Sequence, residues 1–276
     1  MAKKTKKKRS ATGLTRVTQQ TLRDGLPGPG GVRIRYAVPE DTDVVSELVK
    51  TAGDDMEAGH LEALAEGRCG TWLLDGLGGA KLTTPLVRAA QGGDLLLAAA
   101  ALSLPLVATD RSGQVVGALL GVPSGAVTEM VTRLPGHDQH ALVAMIRYAK
   151  IKAVAVDKDA RGRGIGAALL KRCVQVYWQL DYMLLFGEFE TTRALGPYYT
   201  GAGLHRVGGR ADDRCRDAAV RRADATRGRA GGNVLLPVAR PHQVTVSEGP
   251  PRKRSVRTSA RAKALLRGSS SSRSMR

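Results

Sequence analysis

Aromatic residues are scarce in this chain of 276 residues, at 4% of the composition with two Trp and two Phe. That scarcity argues against a base-stacking surface of the kind single-strand nucleic-acid binders use. Cysteine is confined to Cys69, Cys173 and Cys215, far apart and odd in number. Neither a disulfide framework nor a zinc site is expected from that spacing, and a reducing compartment fits it. The longest apolar run, Leu95 to Ala108, is broken by Ser103 and Pro105 and falls short of the ~20 residues a membrane span needs. No apolar stretch follows the lysines near the start, so no secretory signal is read there and a cytoplasmic protein is expected. Acids are missing from residues 1–9 and 249–276, which hold six and nine Lys/Arg and so supply 15 of the +18 net charge. The middle of the chain is therefore close to neutral, and the basicity belongs to the tails.

The most informative stretch is Lys152 to Arg172. Ala153-Val154-Ala155-Val156 reads as a strand end, followed by a charged turn into Arg161-Gly162-Arg163-Gly164-Ile165-Gly166. Ala167, Leu169, Leu170, Cys173, Val174 and Tyr177 then recur at the three-and-four spacing of a one-faced helix. The glycines thus stand where a strand gives way to the first turn of a helix. Backbone N–H groups there lack intrahelical partners, and the helix dipole favours an anion. The stretch reads as a phosphate cradle reinforced by two arginines. A Walker loop is excluded, because no Gly-Lys-Ser/Thr closes the run. A dinucleotide fingerprint through Gly162, Gly164 and Ala167, with Glu188 as the ribose acid, is opposed by the five residues separating strand from first glycine. It also needs more chain than the apolar patterning leaves after residue 207.

Arg161-x-x-Gly164-x-Gly166 after Val-x-Val resembles the R/Q-x-x-G-x-G/A signature of the GCN5-related N-acetyltransferases (GNAT family). Tyr198-Tyr199-Thr200-Gly201-Ala202-Gly203-Leu204 resembles that family's F-Y-x-x-x-G-F segment, with Tyr199 at the tyrosine and Leu204 replacing an aromatic. Val32 to Asp41 looks like its first strand and the cap of its first helix, with Asp41 as the capping residue. The resemblance implies an α/β fold with a mixed α+β sheet: the GNAT-like acyl-CoA N-acyltransferase fold, a central twisted mixed sheet with helices on both faces. It implies acetyl-CoA as co-substrate, no metal, and an amine acceptor, either a small molecule or a protein. Cofactor contacts would fall on Val154, Ala155, Val156, Arg161, Gly162, Arg163, Gly164, Ile165, Gly166 and Ala167. Thr192 stands where the family often has an asparagine at the pantetheine arm. Tyr199 would protonate the leaving thiolate, with Tyr198 the alternative by one step of register. Glu188 would accept the amine's proton, with Glu190, Glu129 or solvent as alternatives.

In chain order, residues 1–30 read as a basic flexible lead ending in Gly25-Leu26-Pro27-Gly28-Pro29-Gly30-Gly31, and 31–239 as the acetyltransferase domain. Helices are expected from Asp41 and over Met56–Leu64, and in the resembled family the link between them walls the acceptor site. Here that link would carry Asp54, Asp55 and Glu57, either an acidic wall for a cationic amine or a solvated face. A helical insertion is expected at about 70–102, broken at Gly92-Gly93, followed by a hairpin turning at Asp110 to Gly113. His137 and His140 lie three apart in a helix without a third metal ligand and read as surface residues. Gly196-Pro197 is expected to shorten or kink its helix. Closing strands fall at Leu204–Val207 and Asn233–Val238, the latter held to an edge by Pro237. The segments at about 208–232 and 240–276 read as a mobile loop and a basic, disordered tail.

The expected reaction is transfer of acetyl from acetyl-CoA to a primary amine by direct attack in a ternary complex, by a monomer or homodimer without membrane contact. From a different class comes a non-enzymatic nucleic-acid- or ribosome-binding protein that uses the same scaffold. The tails suit non-specific polyanion contact, which Lys/Arg clusters supply without reading sequence.

Overall fold

A computed structural model describes residues 16–132, 138–190, 195–202, 204–207 and 232–237 of the chain. The elements in order are α1 (Gln19–Asp24), β1 (Leu26–Pro27), a 3₁₀ turn (Pro29–Gly31), β2 (Arg33–Tyr36), a second 3₁₀ turn (Pro39–Asp41), α2 (Thr42–Thr51) and α3 (Ala58–Ala65). Next come α4 (Thr71–Leu77), α5 (Thr83–Gly92), α6 (Leu95–Ala101), β3 (Leu104–Thr109), β4 (Val115–Pro123), α7 (Gly125–Thr132), α8 (Asp138–Met145) and β5 (Tyr148–Val156). A third 3₁₀ turn (Lys158–Ala160) leads into α9 (Ile165–Gln179), β6 (Leu184–Glu190), α10 (Gly196–Gly201), β7 (Leu204–Val207) and β8 (Gly232–Pro237).

Among the described residues the strands form one eight-stranded sheet in the order β1-β2-β3-β4-β5-β6-β8-β7. Every neighbouring pair is antiparallel except β5 and β6. A parallel pair needs a long crossover, because a tight turn reverses the chain. α9 is that crossover, and it buries Ile165, Leu169, Leu170, Cys173, Val176 and Tyr177 on the sheet.

Two apolar clusters cover the two faces. One gathers Leu169, Leu170, Cys173 and Tyr177 of α9 with Ile34, Leu106, Leu119, Ala149 and Ile151 of the sheet. The other gathers Val45, Leu48, Val49 and Leu64 of α2 and α3 with Val107, Ala118, Ala153 and Ala155. β5 serves both. Its register against β4 slips between Leu120 and Gly121, whose partners are Ala153 and Ile151, leaving Lys152 as the extra residue of a bulge. A bulge re-aims the side chains that follow it. Ala149 and Ile151 therefore face α9, while Ala153 and Ala155 face α2.

The hairpin β3–β4 and the break between α5 and α6 match expectation. The break falls at Gly93, which ends α5 with φ +77°, a backbone state that costs glycine little. Four differences have physical causes. Residues 16–30 are not a flexible lead: Thr18 caps α1, Val17 and Leu22 are wholly buried, and β1 pairs with β2. The side chain of Gln179 on α9 clamps Val17, accepting from its N–H at 2.9 Å and donating to its carbonyl at 2.8 Å. Asp41 does not cap α2 with its side chain. Its carboxylate instead accepts from Val38 N at 2.8 Å and takes both arms of Arg35 at 2.5 and 2.8 Å. Gly196-Pro197 opens α10 and does not kink it, since a proline in the first turn has no needed N–H to lose. β8 is not an edge strand but lies between β6 and β7. Pro237 is tolerated because it is the last residue of β8, opposite Leu204 and beyond the part that pairs with β6.

Candidate functional site

The parallel ladder between β5 and β6 runs Tyr148↔Leu184, Ala149↔Leu185, Lys150↔Phe186 and Ile151↔Gly187, and stops there. Beyond it β5 continues to Val156 against β4 alone, while Glu188 to Glu190 of β6 pair only with β8. The sheet is therefore split from Lys152 onward, with two backbone edges facing across the gap. Strand alternation decides which groups line it. Asp157 N donates to Val116 O at 2.9 Å, which turns the amide of Ala155 towards β4 as well. The N–H groups of Val154 and Val156 consequently point into the split. Of the three strand residues expected at a cofactor, Ala155 gives its methyl to the core and its amide to the sheet.

The loop after β5 is built by its own short contacts. Asp157 caps the 3₁₀ turn by accepting from Asp159 N at 2.9 Å, and Ala160 anchors it in the core. Arg161 Nε donates to Val156 O at 3.0 Å and Arg163 Nη2 to Asp159 O at 3.0 Å. Gly162 and Gly164 are exposed, with φ of +76° and +77°. Gly164 is the N-cap of α9 and offers no side-chain cap. After Arg161, the next amide with a backbone acceptor among the described residues is that of Ala168, which donates to Gly164 O at 3.0 Å. The amides of the intervening glycine run and of the first turn of α9 thus remain open to an anionic guest at the positive end of a 15-residue helix.

Gly166 has a different reason to be glycine. A Cβ there would collide with the hydroxyl of Tyr198 and stand 3.4 Å from Val156 Cγ2. Tyr198 of α10 therefore lays its hydroxyl over the first turn of α9, beside the end of β5, and that hydroxyl has no hydrogen-bond partner among the described residues. Tyr199 is buried in the core cluster with α9, and the two rings meet edge to face at 5.1 Å. Burial raises both phenols above the ordinary tyrosine range, Tyr198 further helped by Tyr199. Each keeps its proton at neutral pH and can donate it.

On the α2 side of the split stand groups that spacing alone did not bring together. Lys152 in the bulge reaches the link between α2 and α3, with Nζ 3.4 Å from Asp54 Oδ1 and 3.4 Å from Glu57 Oε1. The acidic wall expected there is thus partly neutralised by a lysine about 95 residues away. His60, buried behind Glu57, has Nδ1 3.5 Å from Glu57 Oε2 and Nε2 3.0 Å from Ser103 Oγ. Ser103 donates its own proton to Ala99 O at 2.8 Å, so His60 carries its proton on Nε2. Desolvation lowers the imidazole's proton affinity, against the pull of Glu57 and with the push of Lys152. Sequence held one clue to Lys152: it precedes the run 153–156 at a position the alternation would have left exposed.

Of the remaining expected residues, Ile165 is buried as the first residue of α9 and Ala167 is half-buried. Glu188 lies one residue past the last β5–β6 pair, its backbone opposite Val234. Thr192, His137 and the segments 208–231 and 240–276 lie outside the described residues. Glu129 and His140 are exposed on α7 and α8. Among the described residues no group of three His, Cys, Asp or Glu could hold a metal ion. No helix among them is long and apolar enough to cross a membrane.

No curated protein matches the chain. Among solved structures, similarity extends to a ribosomal-protein-alanine N-acetyltransferase from Brucella melitensis, at 19% identity and a TM-score of 0.39 over 75% of this chain and 99% of that one. It extends also to a GNAT superfamily phosphinothricin acetyltransferase from Sinorhizobium meliloti in complex with AcCoA, at 16% identity and a TM-score of 0.40 over 74% and 86%. Residues 88–198, which span α6, the β3–β4 hairpin, the split strand, the glycine loop and α9, match the model of the Acetyltransferase (GNAT) family. It is through that segment, the glycine loop with the strand and helix on either side of it, that the chain is similar to the GNAT acetyltransferases.

Proposed function

We propose that the protein transfers the acetyl group of acetyl-CoA to a primary amine by direct attack. The observation that carries this reading is the continuity of two open features: the unpaired edge of β5 from Lys152 to Val156 runs straight into the uncapped amides that follow it. One suits an extended, peptide-like arm, and the other a diphosphate. The residues present fit acetyl-CoA, because glycine at 162 and 164 leaves those amides bare where a side chain would be strained.

Acetyl-CoA supplies an activated thioester. The amides from Gly162 to Ala167, with the guanidiniums of Arg161 and Arg163, hold its diphosphate. The N–H of Val154 or Val156 then meets the acetyl oxygen and favours the charge that grows there. Anchoring at the loop fixes the reacting carbon in the split, and such orientation is worth up to ~7–11 kcal/mol. Tyr198 gives its proton to the departing sulfur; its hydroxyl at Gly166, beside Val156, favours it over Tyr199, whose ring is in the core. Glu188, at the mouth of the split, takes the proton that the amine must lose.

Calorimetric titration tests the reading. The chain should bind acetyl-CoA, and Gly164→Glu should abolish binding by straining φ +77° and setting a carboxylate against phosphate. Unchanged affinity in that variant would remove the loop from the site. Acceptors are identified by mass spectrometry of a lysate incubated with the protein and labelled acetyl-CoA.

A further inference from the structure

The end of the sheet that carries the glycine loop also carries a cation without a task. Arg33 of β2 pairs with Thr109 of β3, and Asp157 donates to Val116 of β4. The turn Pro29–Gly31, the turn between β3 and β4, and the loop from Asp157 to Gly164 are therefore neighbours at one end. The β3–β4 turn is closed by Asp110, whose Oδ1 accepts from Ser112 N at 2.8 Å, Ser112 Oγ at 2.6 Å and Gln114 N at 3.0 Å. Arg111 projects from that fixed turn, and its guanidinium lies across Gly31. A Cβ on Gly31 would stand 2.6 Å from Nε, 3.1 Å from Nη2 and 3.3 Å from Cζ. Two residues earlier, Pro29 stands against the loop, its Cγ 3.7 Å from where a Cβ on Gly164 would be. Two residues reach at most about 7 Å, so Arg111 and Gly164 flank one short turn, on the order of 10 Å apart.

Several of the other charges at this end are committed, Lys158 and Asp159 being exposed on the far loop. Asp110 and Asp157 are turned onto their own loop amides. Arg33 donates to Asp24 O and Gly25 O. Arg111 is exposed and makes no hydrogen bond or ion pair among the described residues.

We infer that Arg111 binds the 3′-phosphate of coenzyme A. This rests on the acetyl-CoA reading above. The coenzyme carries a diphosphate and a 3′-monophosphate on the same ribose. If the uncapped amides hold the diphosphate, the monophosphate lies one sugar away, across Pro29. An arginine fork pairs bidentately with a phosphate and outcompetes water more readily than a lysine does. Gly31 holds the fork in place by leaving its Cα bare.

The test is calorimetric titration of coenzyme A and 3′-dephospho-coenzyme A into the full chain, Arg111→Ala and Arg111→Lys. The wild-type chain should prefer coenzyme A by about tenfold, the worth of a charge-assisted pair. Arg111→Ala should reduce that preference to less than about twofold while leaving the dephospho form's affinity unchanged, and Arg111→Lys should restore part of it. An unchanged preference in Arg111→Ala overturns the assignment. Equal weakening of both ligands also overturns it, by moving Arg111 to the diphosphate. If the wild-type chain binds neither coenzyme, the acetyl-CoA reading itself fails; if it binds both equally, only the role of Arg111 does.

Discussion

Replacing Gly166 with alanine sets two effects of opposite sign against each other. Alanine is favoured over glycine in a helix by up to about 1 kcal/mol, and Gly166 lies in the first turn of α9 with a helical φ. Against this, the new methyl would overlap the hydroxyl of Tyr198 and come within 3.2 Å of its Cζ. The site is buried and walled by Val156, so the ring must move; overpacking of this kind costs about 1–3 kcal/mol. Gly166→Ala alone should therefore destabilise by about 1–2 kcal/mol, read as a lower urea midpoint at unchanged m. Tyr198→Phe removes the colliding oxygen and leaves a ring that needs to shift only slightly. In that background Gly166→Ala should be neutral or stabilising, a coupling of about 1–3 kcal/mol between positions 32 residues apart in sequence. The same pair reports on chemistry. If the hydroxyl supplies the leaving group's proton, Tyr198→Phe should lower turnover by about 10²–10⁴ while sparing acetyl-CoA affinity. Gly166→Ala should then lose activity by displacing the same hydroxyl. Additive stabilities would show that the hydroxyl does not occupy this notch, and wild-type turnover in Tyr198→Phe would return the donor's role to Tyr199.

Two further tests address the surroundings. Leu22 is fully buried beneath the sheet, so Leu22→Ala should cost about 2–5 kcal/mol in urea unfolding, whereas a value below about 0.5 kcal/mol would mean that residues 16–30 are not part of the core. The proton affinity of His60 is lowered from the usual 6.5 on folding, so the unfolded chain takes the proton first as the medium is acidified. Stability should fall as pH drops from about 7 through 6.5 and should be unaffected by this group at higher pH. Thermal unfolding of His60→Gln between pH 5.5 and 7.5 should show a shallower slope than the parent, and identical slopes would exclude His60 as the cause.

The local parts of this molecule were legible and the long-range ones were not. Strand, bend and helix from Lys152 to Arg172 follow from periodicity and glycine placement, which depend on near neighbours. The hairpin at Asp110 to Gly113 and the break at Gly93 are likewise short-range. Lys152 was opaque because its meaning comes from a register slip against β4 and from two carboxylates on a distant linker. The choice between Tyr198 and Tyr199 turns on where α10 begins, and Pro197 sets that by opening the helix. Residues 16–30 misled because Thr, Gln and Gly dominate them, while the apolar residues that fix them, Val17, Leu22 and Leu26, fall singly. The place of β8 inside the sheet depends on pairing with β6, which no pattern within β8 announces.

The extra residue in β5 has a consequence for how this strand can vary. Lys152 separates a stretch whose small and large side chains are phased for α9 from one phased for α2. Excising it would leave the phasing intact, because Ala153 would then follow Ile151 directly and ordinary alternation sends strand neighbours to opposite faces. Val154 and Val156 would stay on the α9 side, and their amides would still look across the gap. A chain shortened by that one residue would keep its strand count and its glycine run, yet lose the cation that now ties the strand to Asp54 and Glu57.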